Sequence, residues 1–326
     1  MRRQRWLLGV LGLLVAGASS SPASVIGYWR FDNDGGAAGS NINTALDSSG
    51  NGLNANRIGN ASGTLKYLSS SLPGVAIYDP LSGTSYANTM AAQVVDRRLR
   101  VPNNSLLSPT SPDTSFTFEF FLRIITEPGG YNSFAQRVEN GPNSPDNSAS
   151  HDIRRWQVDF SHGKTKNSFG KIRSRWDTPQ PGGDWNNVSV GDYVYVDTDS
   201  GSGNPNDYTG ATGDVADEGD GINDLVEWHH VALVWDASTS QFTIYKDYQA
   251  GTTKTLNGAF VHPNQYLDIV LGSGFEYYID EIRYTAGALS SNQFLQAVPE
   301  PSSYATMAGL FGVALLVVRR RRQNRP

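Results

Sequence analysis

The chain has 326 residues, 38% of them hydrophobic and 17% charged, with 34 glycines, 11% aromatics and no cysteine. That is enough chain for one large domain with a real core, and it excludes disulfides, thiolate metal sites and a thiol nucleophile. The formal charge of −5 hides an uneven distribution: without Arg2, Arg3, Arg5, Arg319, Arg320, Arg321, Arg322, Arg325 and Glu300, 18 bases face 30 acids, so the middle of the chain repels nucleic acid and suits divalent cations.

Residues 1–23 read as a secretory signal peptide. Three arginines precede an apolar stretch at 6–17, and small residues follow at 18–24. Cleavage after Ala23 fits the small-x-small rule, and the apolar stretch is too short for a comfortable membrane span. From 24 to 298 the pattern is strands and turns. Residues 114–124 alternate: Phe116, Phe118, Phe120, Leu122 and Ile124 share one face, and Thr117, Glu119 and Arg123 share the other. This predicts a half-buried strand. The stretch 127–224 is rich in Gly, Pro, Asn, Ser and Asp. It predicts long loops with one or two added strands, at 155–160 and 192–196, and long loops at one end of a sandwich often carry binding. Residues 228–235 are apolar on both faces after the histidines, which predicts a central strand. A turn at 236–240 leads into 241–246 and completes an antiparallel hairpin. Strands at 267–271 and 277–284 follow. Many short strands with Gly, Asn and Asp turns predict an all-β sandwich.

The C-terminus has three parts. Pro299, Glu300 and Pro301 form a rigid, extended break. Residues 304–318 are apolar and uncharged, and Arg319, Arg320, Arg321 and Arg322 close them. As a helix this run spans about 22 Å against a hydrocarbon core of roughly 30 Å, and the arginines can snorkel to the cytoplasmic side. It predicts a C-terminal transmembrane helix.

This trio resembles the PEP-CTERM sorting signal of Gram-negative bacteria, over residues 298–326. The resemblance implies handling by an exosortase, a membrane cysteine protease-transpeptidase, with cleavage near Pro-Glu-Pro. It also implies a setting of exopolysaccharide or extracellular matrix. The expected route is export, an inner-membrane intermediate, then the cell surface, the outer envelope or release. A second resemblance covers 25–297. Gly27-Tyr-Trp-Arg-Phe-Asp32 and Asp47-Ser-Ser-Gly-Asn-Gly52 resemble the opening of a laminin-G-like domain of the concanavalin A-like class. Glu227-Trp-His-His-Val-Ala-Leu-Val-Trp-Asp236 resembles its hairpin, and Ile279-Asp-Glu-Ile-Arg-Tyr284, with Ala288, Leu289 and Phe294, its closing strand and turn. The resemblance implies a jelly-roll sandwich of two antiparallel sheets over residues 24–298, with the first and last strands side by side.

Candidate sites are few. The Glu-x-Asp-x-x-Glu string that glycosidases of this class use is missing, and Asp280 and Glu281, as strand neighbours, should point to opposite faces. Gly-x-Ser-x-Gly and His-Glu-x-x-His are missing too. His229 and His230 are adjacent on a strand and read as structural. No enzyme activity is expected. Between Arg175 and Lys246 no base occurs, and the window holds Asp220, Asp224 and Glu227. These occupy the fifth, ninth and twelfth positions of an EF-hand-type calcium loop, with Gly221 at the turn. The first position is Ala216, where Asp is required, so a solvated acidic loop stands beside the calcium reading. From the laminin-G resemblance, Asp280, placed on the face of Ile282 and Tyr284, joins Asp47 and Asn51 either in holding a structural Ca²⁺ or in a hydrogen-bonded turn. Trp156, Trp176 and Trp185 are sugar-stacking platforms or core. Residues 151–176 carry seven bases against two acids; they either pair with the acidic stretch or meet an anionic polysaccharide. The expected function is non-catalytic carbohydrate binding or adhesion, beside a structural matrix or envelope protein and a diverged glycoside hydrolase. The expected partners are the sorting protease, polysaccharide or matrix, and the membrane before processing.

Overall fold

The computed structural model describes residues 23–58, 63–69, 75–107, 114–125, 131–139, 153–161, 171–175, 193–197, 228–255, 265–272 and 276–299. Residues 1–22 of the expected signal peptide (1–23) and residues 300–326 of the expected sorting segment (299–326) lie outside the described residues. In chain order the strands are Ser24–Trp29 (β1), Thr44–Ala45 (β2), Ala55–Ile58 (β3), Thr64–Ser69 (β4), Val75–Asp79 (β5), Thr84–Ala87 (β6), Met90–Val95 (β7) and Arg98–Val101 (β8). Then follow Phe116–Ile124 (β9), Tyr131–Glu139 (β10), Ile153–Ser161 (β11), Lys171–Arg175 (β12) and Tyr193–Asp197 (β13). The last six are His229–Asp236 (β14), Gln241–Lys246 (β15), Gln249–Thr255 (β16), Gln265–Leu271 (β17), Glu276–Ala286 (β18) and Gln296–Pro299 (β19), with a 3₁₀ turn at Ser291–Gln293. Among the described residues there is no α-helix, and none forms a helix long and apolar enough to cross a membrane.

The protein is all-β, and every strand pairing is antiparallel. The first sheet runs β16-β15-β14-β9-β18-β7-β4, with β1 also on β18. The second runs β13-β12-β11-β10-β17-β8-β3-β2. Their inner faces share one core: Phe116, Phe118, Phe120, Leu122, Val231, Leu233, Ile279 and Ile282 from the first sheet meet Leu99, Val101, Phe134, Trp156, Val158, Leu267 and Ile269 from the second. Phe118 lies 5.0 Å from Trp156 and Phe134 5.1 Å from Tyr277, ring centre to ring centre, so aromatic pairs bridge the layers. The alternation read at 114–124 is the reason: its five apolar positions all enter this core.

Two expectations are corrected. The sandwich has a third layer, a small sheet β19-β5-β6. It packs Ile77 and Leu295 against Tyr28 and Phe121 on the outer face of the first sheet, while Leu289 and Phe294 cover Ala232 and Val234. β9 is therefore buried on both faces, not half-buried. Second, the stretch 127–224 holds four strands, β10 to β13, which make half of the second sheet. Its composition is set by the connections, which hold more residues than the four strands do.

β18 organises the first sheet. One edge pairs with β9; the other is shared by β7, opposite residues 276–279, and β1, opposite residues 282–286. The first and last signature strands do lie side by side, with Gly27 opposite Tyr284 and Trp29 opposite Ile282. Gly27 is obligatory: a Cβ there would sit 2.4 Å from the buried indole of Trp29.

Candidate functional site

Two polar constellations stand out: a buried one beneath the third sheet and a recessed one on the outer face of the second. The buried one begins at a bulge in β18. Tyr277 and Ile279 face the core, and so do Ile282 and Tyr284. The pleat therefore skips a residue at 280–281, where the register to β9 shifts and Glu281 takes φ 50°. The expectation that Asp280 and Glu281 oppose each other is overturned, as is the placement of Asp280 on the face of Ile282. Asn88 Nδ2 donates to Asp280 Oδ2 at 2.7 Å and to Glu281 Oε1 at 3.0 Å. Tyr28 OH donates to Glu281 Oε2. Arg30 reaches the same carboxylate at 3.4 Å and donates to the Ala87 carbonyl at 2.8 Å. Burial pushes the Glu281 carboxyl up to about 7, against the opposing pull of Arg30 and Tyr28.

Farther along the same face, Arg283 is fully buried. Its Nε donates to Glu119 Oε1 at 2.7 Å, Nη1 pairs with Asp79, and Nη2 donates to the Gln293 carbonyl at 2.9 Å. The other Glu119 oxygen binds His230 Nε2 at 2.8 Å and accepts from the Leu295 amide at 2.9 Å. Burial alone would raise the Glu119 carboxyl; Arg283, then His230, hold it below the usual carboxylate value. The His230 ring is stacked between Tyr248, at 4.7 Å, and Phe294, at 5.4 Å. Tyr248 reaches it from a two-residue turn in which both Asp247 and Tyr248 have positive φ, the hairpin geometry that matches strand twist. His229 binds Asp247 at 2.8 Å. Both histidines thus tie strands together, as the sequence suggested. With Glu119, Arg283, Asp280 and Glu281 at 0% exposure, this constellation is closed to a substrate and cements the third layer.

The second constellation lies across β8, β17 and β10. Asp268 receives Arg100 through two bonds, at 2.6 and 3.1 Å, and Gln136 Nε2 at 2.8 Å; Arg98 stands 3.6 Å away. The Arg100 guanidinium lies 5.1 Å over the Tyr266 ring. The Asp268 side chain is sealed, while Arg98 keeps 24% of its side chain exposed and Arg100 keeps 11%. The register makes these a row: Thr44, Asn56, Arg100, Asp268, Gln136, Gln157, Arg175 and Tyr193 are successive cross-strand partners over all eight strands. The sequence reading missed this row, because it arises from pairing between segments up to 168 residues apart.

Sequence comparisons give no match, either to a family model or to a curated protein. Solved structures give several of low identity. The receptor-binding domain of botulinum neurotoxin type G aligns at 9% identity and a TM-score of 0.45 over 83% of this chain and 49% of that one. Domain 4 of an extracellular arabinanase from Geobacillus stearothermophilus, in complex with arabinotriose, aligns at 15% and 0.44 over 84% of this chain and 97% of that one. A Trypanosoma rangeli sialidase in complex with sialic acid aligns at 14% and 0.43 over 82% and 31%. The chain spans about half the length of the neurotoxin domain. The architecture given above rests on the strand pairing itself.

Trp156 is a correction: it is fully buried and stacked between the sheets on Phe116 and Phe118, so it is core and no platform. Trp176 and Trp185 lie outside the described residues, as do Asp220, Asp224 and Glu227. Asp47 and Asn51 do form one turn. Asp47 Oδ1 accepts from the Tyr28 and Ser49 amides, and Oδ2 from Ser49 Oγ and the Leu53 amide, all at 2.8 to 2.9 Å. The Asn51 amide donates to the carbonyls of Val25 and Ile26. Asp280, by contrast, is engaged by Asn88 and by the Glu281 amide. These residues do not fit a shared calcium ion: their oxygens are spent on protein donors, and Asn51 presents its donor side. Among the described residues no group of three or more His, Asp or Glu side chains is gathered as a metal site.

Proposed function

We propose that this chain is an exported, surface-sorted, non-catalytic carbohydrate-binding or adhesion protein built on a concanavalin A-like jelly roll. The observation that carries the reading is the outer face of the second sheet, where Arg98, Arg100, Gln136 and Tyr266 are arrayed around a neutralised Asp268. Fixed amide and guanidinium donors beside an aromatic ring are what orient a sugar. The two ends of the sequence support export. The adjacent carboxylates Asp280 and Glu281, which a hydrolase would need at its surface, are sealed beneath the third sheet; this supports a binding role over catalysis. Strand β19 ends at Pro299, the first residue of the Pro-Glu-Pro motif.

The test is a glycan array probed with the full chain and with Tyr266→Ala. Binding that weakens in the variant supports the reading. Absence of binding to any glycan favours the structural matrix protein, and turnover of a polysaccharide overturns the non-catalytic assignment.

A further inference from the structure

We propose that the ligand of this face is an anionic, carboxylated polysaccharide, laid across the second sheet between Arg98 and Arg100 at one side and the bases of β12 at the other. The inference rests on the carbohydrate-binding reading and adds the chemical class of the ligand.

The first observation is segregation of charge. A chain with a net charge of −5 carries seven bases against two acids in residues 151–176, while no base occurs between Arg175 and Lys246. The second is register. β12 reads Lys171-Ile-Arg-Ser-Arg175, so its bases occupy alternate positions. Arg175 is opposite Gln157, which is opposite Gln136, opposite Asp268, opposite Arg100. Arg175 of β12 and Arg100 of β8 therefore fall in one cross-strand row, four strand spacings or about 19 Å apart. Gln157, Gln136 and Asp268 occupy the row positions between them. The third is the state of Asp268. It is one carboxylate between two guanidinia, Arg100 in a two-bond grip and Arg98 at 3.6 Å, and its charge is already satisfied. The pair therefore keeps one positive charge in excess, and Arg98, the more exposed arginine, is the one turned to solvent. Asp159 and Asp197 are the register partners of Arg173 and Lys171, and Arg154 adds a further basic position opposite Val138, itself opposite Tyr266.

A carboxylated polysaccharide fits this array better than a neutral one. Guanidinia bind carboxylates through paired hydrogen bonds, and Tyr266, over whose ring Arg100 lies, adds a flat apolar surface for a sugar ring. A polyphosphate fits less well, because the acidic remainder of the chain repels its denser charge.

The experiment uses the full chain and two probes with one backbone, polygalacturonate and its fully methyl-esterified form. Titration calorimetry at low and high salt reads the affinities. Polygalacturonate is expected to bind about tenfold tighter than the ester at low salt and to lose that margin as salt screens the charges. The triple variant Lys171→Gln, Arg173→Gln, Arg175→Gln is expected to lose about tenfold in polygalacturonate affinity, and Arg98→Gln about threefold, with thermal melts unchanged. If the triple variant does not fold, Arg98→Gln decides alone: unaltered affinity overturns the proposal. Equal binding of acid and ester, or binding of other neutral glycans untouched by these variants, overturns the anionic assignment and leaves carbohydrate binding standing. Binding to no glycan, as when the chain's own acidic stretch occupies the face, overturns both. Equal affinity for single-stranded DNA also overturns the assignment, since a general polyanion surface would then suffice.

Discussion

Arg283 has no access to water, and each of its three guanidinium nitrogens donates to Glu119, Asp79 or a backbone carbonyl. Such a group is costly to orphan, because removing one partner leaves an uncompensated buried charge. Glu119→Gln should therefore cost about 3–5 kcal/mol, while the double variant Glu119→Leu, Arg283→Met should recover a large part of that loss. Urea unfolding of the two variants checks this; equal losses would show that the pair contributes through shape and not charge. Gly27→Ala makes the opposite error, adding volume where Trp29 already fills the space, and should cost about 2 kcal/mol by the same measurement. At this scale the sequence was half legible. The inward phenylalanines of β9 were visible because apolar residues announce a core. Glu119 was read onto the open face of a half-buried strand because alternation records which way a side chain points and says nothing of what later covers it. The bulge at Glu281 was hidden for a similar reason: a one-residue skip leaves no mark in composition.

The third sheet is the element on which the outer layer depends, and it closes late in the chain. β19 pairs with β5, and the segment before it is held through the Leu295 amide on Glu119 and the Tyr248 hydroxyl on the Leu295 carbonyl. Phe294 anchors it, stacked on His230 and edge-on to Tyr245. Few side chains hold this layer compared with the shared core of the two large sheets, so it should open first. Phe294→Ala is expected to cost about 3–4 kcal/mol. Amide exchange should quicken in β19, β5 and β6 while protection in β9 and β17 persists. Uniform loss of protection would mean that the three layers unfold as one unit. One sequence signal did point to this cover: residues 228–235 are apolar on both faces, and a strand that must be buried twice needs two neighbours. The strands expected at 155–160 and 192–196 are β11 and β13, but the pairing of β10 to β13 with each other and with a β17 far along the chain was not legible, because pairing over such distances is a property of the fold.

Over the whole molecule, two buried carboxylates pull the pH dependence of stability in opposite directions. Glu119 is held below its ordinary value by Arg283 and His230, so the native state favours its ionised form. Its contribution is present above the unfolded value and is lost as pH falls through the native one. Glu281 is raised to about 7 by burial, with Asp32 adding to the rise and Arg30, Tyr28 and Asn88 opposing it. Here the native state binds the proton more tightly than the unfolded chain. Its contribution is complete below the unfolded value of about 4.5 and disappears as pH rises through about 7. A shift of that size corresponds to about 3 kcal/mol. Glu281→Gln mimics the protonated acid and keeps its shape, and Tyr28 can turn its hydroxyl to accept from the new amide. The variant should match the wild type near pH 4.5 and become the more stable of the two by pH 8. Glu119→Gln should instead fall furthest behind the wild type at neutral pH, and the gap should narrow as the acid limb is reached. Urea midpoints of the three proteins from pH 4 to 8 test this. Parallel curves for the wild type and Glu281→Gln would mean that Arg30 and Tyr28 hold Glu281 ionised, and that the bulge of β18 carries a permanent buried charge.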